Sequence, residues 1–478
     1  MSTVSIAPAI SLVCAGCGRR APAGEPFPIR CPARVPGDDV DHVMTRALDP
    51  GQVRFPAGWE PNPFVRYREL FNAWHVARAA GWSDARYVEL VERLDRSVAE
   101  VDGRGFSATP FERHGALSER LGFGTTGGVW VKDETGNVSG SHKARHLMGA
   151  MLELLVAEGT GRTGDGSRPL AIASCGNAAL AAAVVARAAS RRLDVFVPTS
   201  ADPSVVDRLE GLGARVAACP REPGAAGDPT YRRLQAEIAA GAIPFTCQGT
   251  ENGLAIEGGE TLGYEMVSEL LRQGRRLDRL VVQVGGGALA SACVQAFAEA
   301  RGLGVVDRLP RIHAVQTRGC WPLKRAFDRV AARIRERIGP IGDGLDLDAP
   351  DVRGELQYVI RHRSEFMWPW ESEPRSIAYG ILDDETYDWL AVVRGMLATG
   401  GYPVVVSEAL LAEANELARE TTGIDADHTG TAGLAGLLEI VREGAIRPDE
   451  TVAVIFTGVR RGGQPPGATE RPGEQGTP

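Results

Sequence analysis

No run of apolar residues in this chain is long enough to cross a bilayer. The opening Met1 to Val13 is mildly apolar but lacks the basic n-region of a signal peptide. There is no excess of positive charge either. A net charge of −8 argues against nucleic acid or an anionic membrane surface as the main partner. Cysteine is sparse: eight residues, mostly scattered in apolar stretches, suit a reducing cytosol better than a disulfide framework. No internal repeat is present. What remains is a cytoplasmic globular chain, and at 478 residues it can hold two or three domains with substantial cores.

Three stretches of that chain share one design, a strand running through a polar turn into a helix. The first opens at Val129 to Val131, turns through Thr135 to Gly140, and continues with Leu147, Met148, Met151, Leu154 and Leu155 at helical spacing. Ser141 stands where an N-cap belongs, which puts Lys143 in the first helical turn. A helix N-terminus is already partly positive, so a lysine there is a poor structural choice and points to chemistry. The second is Ala171-Ile-Ala-Ser-Cys-Gly-Asn-Ala178, leading into an alanine-valine helix. The third is Val281-Val-Gln-Val-Gly-Gly-Gly-Ala-Leu-Ala290. Its glycines remove every side chain that would keep an anion from the backbone N–H groups, and the following helix adds its dipole. That is a phosphate seat. A dinucleotide loop is the alternative, but the spacing Gly-x-Gly-x-x-Gly is incomplete because position 290 is Ala.

In their order and spacing, the three stretches resemble the threonine synthase and threonine dehydratase family. These are fold-type-II pyridoxal-phosphate enzymes with the tryptophan synthase β fold, and the resemblance runs from about Phe106 to Gly458. It implies that Lys143, in Ser-Gly-Ser-His-Lys, carries the cofactor as a Schiff base. It implies that Asn177, in Ser-Cys-Gly-Asn, lies against the cofactor's ring oxygen, and that Gly285, Gly286, Gly287, Ala288 and Leu289 hold the phosphate. Thr457, ending the apolar strand from Thr451, would face the pyridine nitrogen; the plainer reading is a strand-end threonine. His142 stands where phenylalanine is common in the family, and either touches the cofactor or packs. The substrate carboxylate would take donors from Ser174, Cys175 and Gly176 at a helix start, with Ser141 nearby. Glu371 to Gly380 resembles the family's Ser-Ile-Ala-Asp-Gly segment, but Tyr379 replaces the acid.

The alternation of strands and helices implies an α/β fold with two parallel-sheet domains. We expect a large cofactor-binding domain from residues 106–146 and 246–464 and a small α/β domain from 147–245. An N-terminal extension, 1–105, and a disordered Pro/Gly-rich tail, 465–478, complete the chain. Within the extension, Phe64, Leu70, Trp74, Tyr87, Leu90 and Leu94 form a buried helical stripe with no site assigned. His313 is expected to be a satisfied core histidine. Val404 to Thr421 reads as one amphipathic helix. Cys14 and Cys17 form a Cys-x-x-Cys turn and Cys31 follows, but position 34 is Arg, so the second pair of a zinc ribbon is broken. His42 is the nearest candidate for a fourth zinc ligand; otherwise the turn is a vestigial knuckle with free thiols.

The function expected is β-elimination with release of ammonia from a small amino acid, as in threonine or serine dehydratases or a diaminopropionate ammonia-lyase. Threonine synthase-like replacement is the alternative, and a non-catalytic regulatory protein that kept the cofactor is the third. A homodimer is expected.

Overall fold

The computed structural model describes residues 9–22, 25, 27–35, 37–164, 166–221 and 227–461. The expected tail lies outside the described residues, as do Met1 to Pro8. Twelve strands are formed: β1 (Ile10–Cys14), β2 (Met44–Leu48), β3 (Phe111–Arg113), β4 (Gly128–Asp133), β5 (Leu170–Ala173), β6 (Leu193–Pro198), β7 (Arg215–Cys219), β8 (Ile243–Pro244), β9 (Arg279–Gln283), β10 (Arg311–Thr317), β11 (Val404–Val406) and β12 (Thr451–Phe456). They make three sheets: the hairpin β1-β2, a six-stranded sheet in the order β11-β10-β9-β12-β4-β3, and a four-stranded sheet in the order β7-β6-β5-β8. All pairings in the two larger sheets are parallel except β3 with β4.

Strands β9 and β12 are buried along their whole length, as the apolar stretches Leu280–Val282 and Val452–Phe456 require when helices cover both faces of a sheet, and the buried Arg279 of β9 is paired with Glu450. The helix Lys143–Gly159 packs on the helices Asn177–Ala188 and Ala255–Arg272, and so links the two larger sheets. The helical stripe before residue 102 is buried as expected, with Trp74 half-covered. His313 is a core histidine: its Nε2 meets Arg279 at 3.2 Å and its Nδ1 meets the Tyr402 carbonyl at 3.3 Å.

Two expectations are corrected. The segment 404–421 is not one helix, because the β-branched Val404–Val406 joins the edge of the large sheet as β11. The helix starts at Glu408, where Ser407 accepts the Leu410 N–H at 3.2 Å. Ser141 is not a cap. It is fully extended (φ −162°), its hydroxyl is buried without a partner, and His142 holds the cap position. The hydroxyl that receives the His142 N–H, at 3.0 Å, is Thr457 at the end of β12.

Beneath Lys143 lies a fully buried ionic network. Arg145 forks onto Glu134 (2.8 and 3.0 Å) and onto Glu265 (2.6 and 3.0 Å), with further bonds to Thr261 and Thr109. Lys132, on β4, reaches Glu265 at 2.5 Å and the Thr109 carbonyl at 2.7 Å. Asn137, in the turn before the helix, donates to Glu134 at 2.9 Å and to the Ser141 carbonyl at 3.2 Å. Strand, turn and helix are therefore tied at one charged point. Breaking such a buried set by removing one partner leaves uncompensated charge and costs about 3–5 kcal/mol. Arg145→Met should lower the free energy of urea unfolding by that order, and Arg145→Lys, which cannot fork onto two carboxylates, should not restore it.

Candidate active site

Lysine is scarce in this chain. There are three, Lys132, Lys143 and Lys324, against fifty arginines. Lys132 is paired with Glu265, and Lys324 with Asp328 four residues on. Among the described residues Lys143 makes no ion pair, although it is half-buried at the first position of its helix. Its charge bears on His142, His146, Cys247, Asp383 and Asp388. Burial, and then the Lys143 charge, keep both histidines neutral: His146 is pushed down to about 3 and His142 lies well below its ordinary value. Each leaves its Nε2 buried and without a partner. Their Nδ1 atoms meet the Ala255 carbonyl (2.9 Å) and the Thr457 hydroxyl (2.8 Å).

The glycine loop lies between β9 and the helix Ala288–Gly302, whose cap, Gly287, takes a left-handed φ of +97° that a side chain would strain. Ala288 and Leu289 begin that helix. The Gly286 N–H donates to the Asp383 carboxylate, and the Gly286 carbonyl accepts from the Asp388 N–H at 3.0 Å. A side chain on Gly285 would strike Asp383 and the backbone of Ile381. Burial raises the Asp383 carboxyl, and raises Asp388 from 3.8 to about 7. Asp388 accepts a long bond from the Gly249 N–H, 3.4 Å, while its other oxygen is buried and unpaired.

Asn177 opens the helix Asn177–Ala188 at the carboxyl end of β5. Its side-chain oxygen accepts from Arg461, which also donates to the Ser139 carbonyl at 2.6 Å. The Ser174 N–H is committed to the Phe196 carbonyl at 3.2 Å, and the Gly176 N–H leans on the Ser174 hydroxyl at 3.4 Å. The expected donor set is therefore smaller than the sequence suggested. Cys175 is exposed, and its thiol is raised by desolvation and by Asp228 and Asp383.

Tyr379 reaches a carboxylate instead of supplying one: its hydroxyl donates to Asp427 at 3.4 Å. Asp427 also accepts the Gly430 N–H at 2.7 Å, and burial raises it to about 6. A side chain on Gly458 would meet both Asn177 and Asp427, so the amide and the acid of this corner face the residues just past β12. Asp383, Asp388 and Asp427 were missed from sequence. The run Leu-Asp-Asp-Glu-Thr-Tyr-Asp388 reads as a solvated loop, and the one hint was acids directly following apolar Ile381 and Leu382. On the N-terminal hairpin, the ligand atoms of Cys14, Cys17, Cys31 and His42 all lie within 4.8 Å of one another.

A loop whose N–H already grips a carboxylate fits a phosphate, and buried unpaired Ser141, His142 and His146 atoms beside Lys143 fit a polar ligand. Comparison with known proteins agrees. Residues 104–458 match the family described as pyridoxal-phosphate dependent enzyme, and the chain belongs to that family. It is an enzyme, and pyridoxal phosphate is its cofactor. Threonine synthase of Methanocaldococcus jannaschii is 24% identical over 377 residues, 78% of this chain and 79% of that protein. L-serine dehydratase of Saccharomyces cerevisiae is 28% identical over 228 residues, 46% of this chain and 65% of that protein. The fold is that of diaminopropionate ammonia lyase from Escherichia coli, solved with an aminoacrylate-PLP azomethine intermediate. That match has a TM-score of 0.55 and 16% identity, and covers 78% of this chain and 88% of that one. Among the described residues no helix is long and apolar enough to cross a membrane.

The raised Asp388 carboxyl has a consequence for stability. Between its ordinary value of 3.8 and about 7 the folded chain keeps a proton that the unfolded chain has lost, so this group costs stability as pH rises through that window. Asp388→Asn removes the titration. Its melting temperature should gain on wild type from pH ~4 to ~7 and hold a constant lead above that range.

Proposed function

We propose that the protein is a lyase that expels a β-substituent from a small amino acid and releases ammonia. The observation that carries this reading is that the charge of Lys143, which makes no ion pair among the described residues, bears on two carboxyls raised above their ordinary range, the half-buried Asp383 and the buried Asp388. Elimination needs a base for the α proton and an acid for the departing group. The Lys143 amine is the candidate base, and Asp383 or Asp388 the acid.

Bound at the glycine loop, pyridoxal phosphate would supply the sink for the electrons left at the α carbon. The Gly285–Leu289 segment would hold its phosphate, which requires the Asp383 side chain to leave the Gly286 N–H, since two anions cannot share it. Asn177 would face the ring oxygen and Thr457 the pyridine nitrogen. His142 is neutral and already bonded to Thr457, so it positions that hydroxyl without adding charge. A neutral hydroxyl leaves the pyridine nitrogen unprotonated and favours expulsion of a leaving group over transamination. The Cys175 and Asn177 N–H groups, at a helix start, suit the substrate carboxylate.

The Asp228 charge raises the Asp383 and Asp384 carboxyls, and the Asp383 charge raises that of Asp384 in turn. That surrounding disfavours a phosphorylated side chain and suits a hydroxyl or ammonium leaving group. The second reading, replacement as in the threonine synthase relative, is favoured by the length of that match. Incubation with serine, threonine, diaminopropionate and phosphohomoserine, with assay of keto acid, ammonia and inorganic phosphate, separates the two. Keto acid and ammonia are expected, whereas phosphate release with threonine and no keto acid overturns the proposal. Lys143→Ala should lose keto-acid formation by about 10²–10⁴-fold at saturating cofactor, and Asp383→Asn should lower kcat more for poor leaving groups than for good ones.

A further inference from the structure

We propose that Cys14, Cys17, Cys31 and His42 bind one zinc ion, and that the ion locks the N-terminal hairpin as a brace on the segments that carry the active-site acids. Sequence spacing alone leaves the set one ligand short, because Arg34 stands where a second Cys-x-x-Cys would close. In the fold, His42 arrives from the other side, on the approach to β2. Its Nδ1 lies 3.4 Å from the Cys14 Sγ, and the Cys17 and Cys31 sulfurs are 3.6 Å apart. Tetrahedral zinc with Zn–S near 2.3 Å and Zn–N near 2.0 Å demands ligand–ligand edges of roughly 3.5–3.8 Å. Two pairs at about those edges, with all four ligand atoms within 4.8 Å of one another and three of the residues buried, describe a closed structural site and not a catalytic one with an open position.

The surroundings of the four ligands carry the same pattern. The Cys17 N–H points at the Cys14 Sγ (3.5 Å) and the Ala33 N–H at the Cys31 Sγ (3.4 Å), which is how a backbone supports thiolates. Gly18, at φ +74°, makes the tight return after Cys17 that the turn needs. The His42 Nε2 meets the Asp38 carboxylate at 3.1 Å, fixing the ring so that Nδ1 is the lone pair turned toward the sulfurs. Thiolate and imidazole together select a zinc-like cation over magnesium or calcium.

What the ion would hold in place follows from the same loop. Arg30 and Arg34 grip Glu251, Arg34 also donates to the Thr250 carbonyl at 2.8 Å, and the Gly253 N–H reaches the Ile29 carbonyl at 3.0 Å. Asp39 takes the Ser364 N–H at 2.7 Å and its hydroxyl at 2.8 Å, while the neighbouring Arg363 pairs with Glu385. The loop thus clamps both the 249–253 turn, whose Gly249 N–H touches Asp388, and the segment leading to Asp383 and Asp388.

The full chain, grown with added zinc and purified without chelator, should contain one zinc per chain by inductively coupled plasma mass spectrometry. Exchange with cobalt(II) should give the intense visible absorption of a tetrahedral thiolate site. Cys31→Ser and His42→Ala should lose the metal, and Asp38→Ala should keep it with affinity weakened by ~10–100-fold. Chelator should lower the melting temperature of wild type and leave that of Cys31→Ser unchanged. Metal-free wild type with no cobalt absorption overturns the proposal, as does a Cys17–Cys31 disulfide in protein prepared under reducing conditions. Both readouts use wild type, so they decide the matter even if a variant does not fold, and neither depends on the reaction catalysed.

Discussion

The position of Lys143 depends on one buried arginine. Arg145 sits two residues further along the same helix, and all its bonds run to groups from other elements: Glu134 after β4, Thr109 before β3, and Thr261 and Glu265 on the helix Ala255–Arg272. A guanidinium can serve four groups on three other elements because its donors lie in one plane with fixed angles, which an ammonium cannot imitate. The fully buried charges are tolerated because Glu134 and Glu265 pair with it, Arg145 and Lys132 holding the Glu265 carboxyl below its ordinary value despite burial, and Lys132 completes the balance. The network is a foundation in the literal sense, since it fixes the end of β4 and the start of the helix relative to each other and so sets where residue 143 emerges.

Above that foundation the electrostatics change sign. Burial keeps His142 and His146 neutral and favours the protonated forms of Asp383, Asp388 and Asp427. A site of neutral histidines and acids raised above their ordinary range around an amine is suited to move protons, because small changes in charge shift each acid between its two forms. The contrast with the paired ions below is instructive. Where charge is structural it is matched, and where it is left unmatched it lies against the glycine loop and the lysine.

Much of this was legible from sequence because it is local. Strand–turn–helix periodicity, three glycines before a helix, and the apolar stretches within β9 and β12 each depend on neighbours within a dozen residues. What was not legible is contact between distant segments. Ser141 satisfied every local rule for a cap, yet the hydroxyl near the helix start is that of Thr457, 315 residues from His142. Val404–Val406 continued a helical pattern, but a sheet edge was open beside β10 and β-branched residues took it. The acids at 383, 388 and 427 sit in polar loops that would be solvated in isolation and become buried only because other segments close over them.

Tyr379 shows how such a departure can be read once its partner is known. An acid at that position would add a second carboxylate on the side of Asp427 that Tyr379 now covers, and like charges there would disfavour the ionisation of both. Tyrosine supplies a donor instead, so Asp427 accepts from Tyr379 and from the Gly430 N–H at once. Its carboxylate is thereby occupied from two sides beside Gly458, next to the threonine assigned to the pyridine nitrogen. A strong acid free to face that nitrogen would protonate it and deepen the electron sink. With Asp427 engaged and the Thr457 hydroxyl tied to a neutral histidine, no free acid of this corner faces that position, which is the arrangement the proposed elimination calls for.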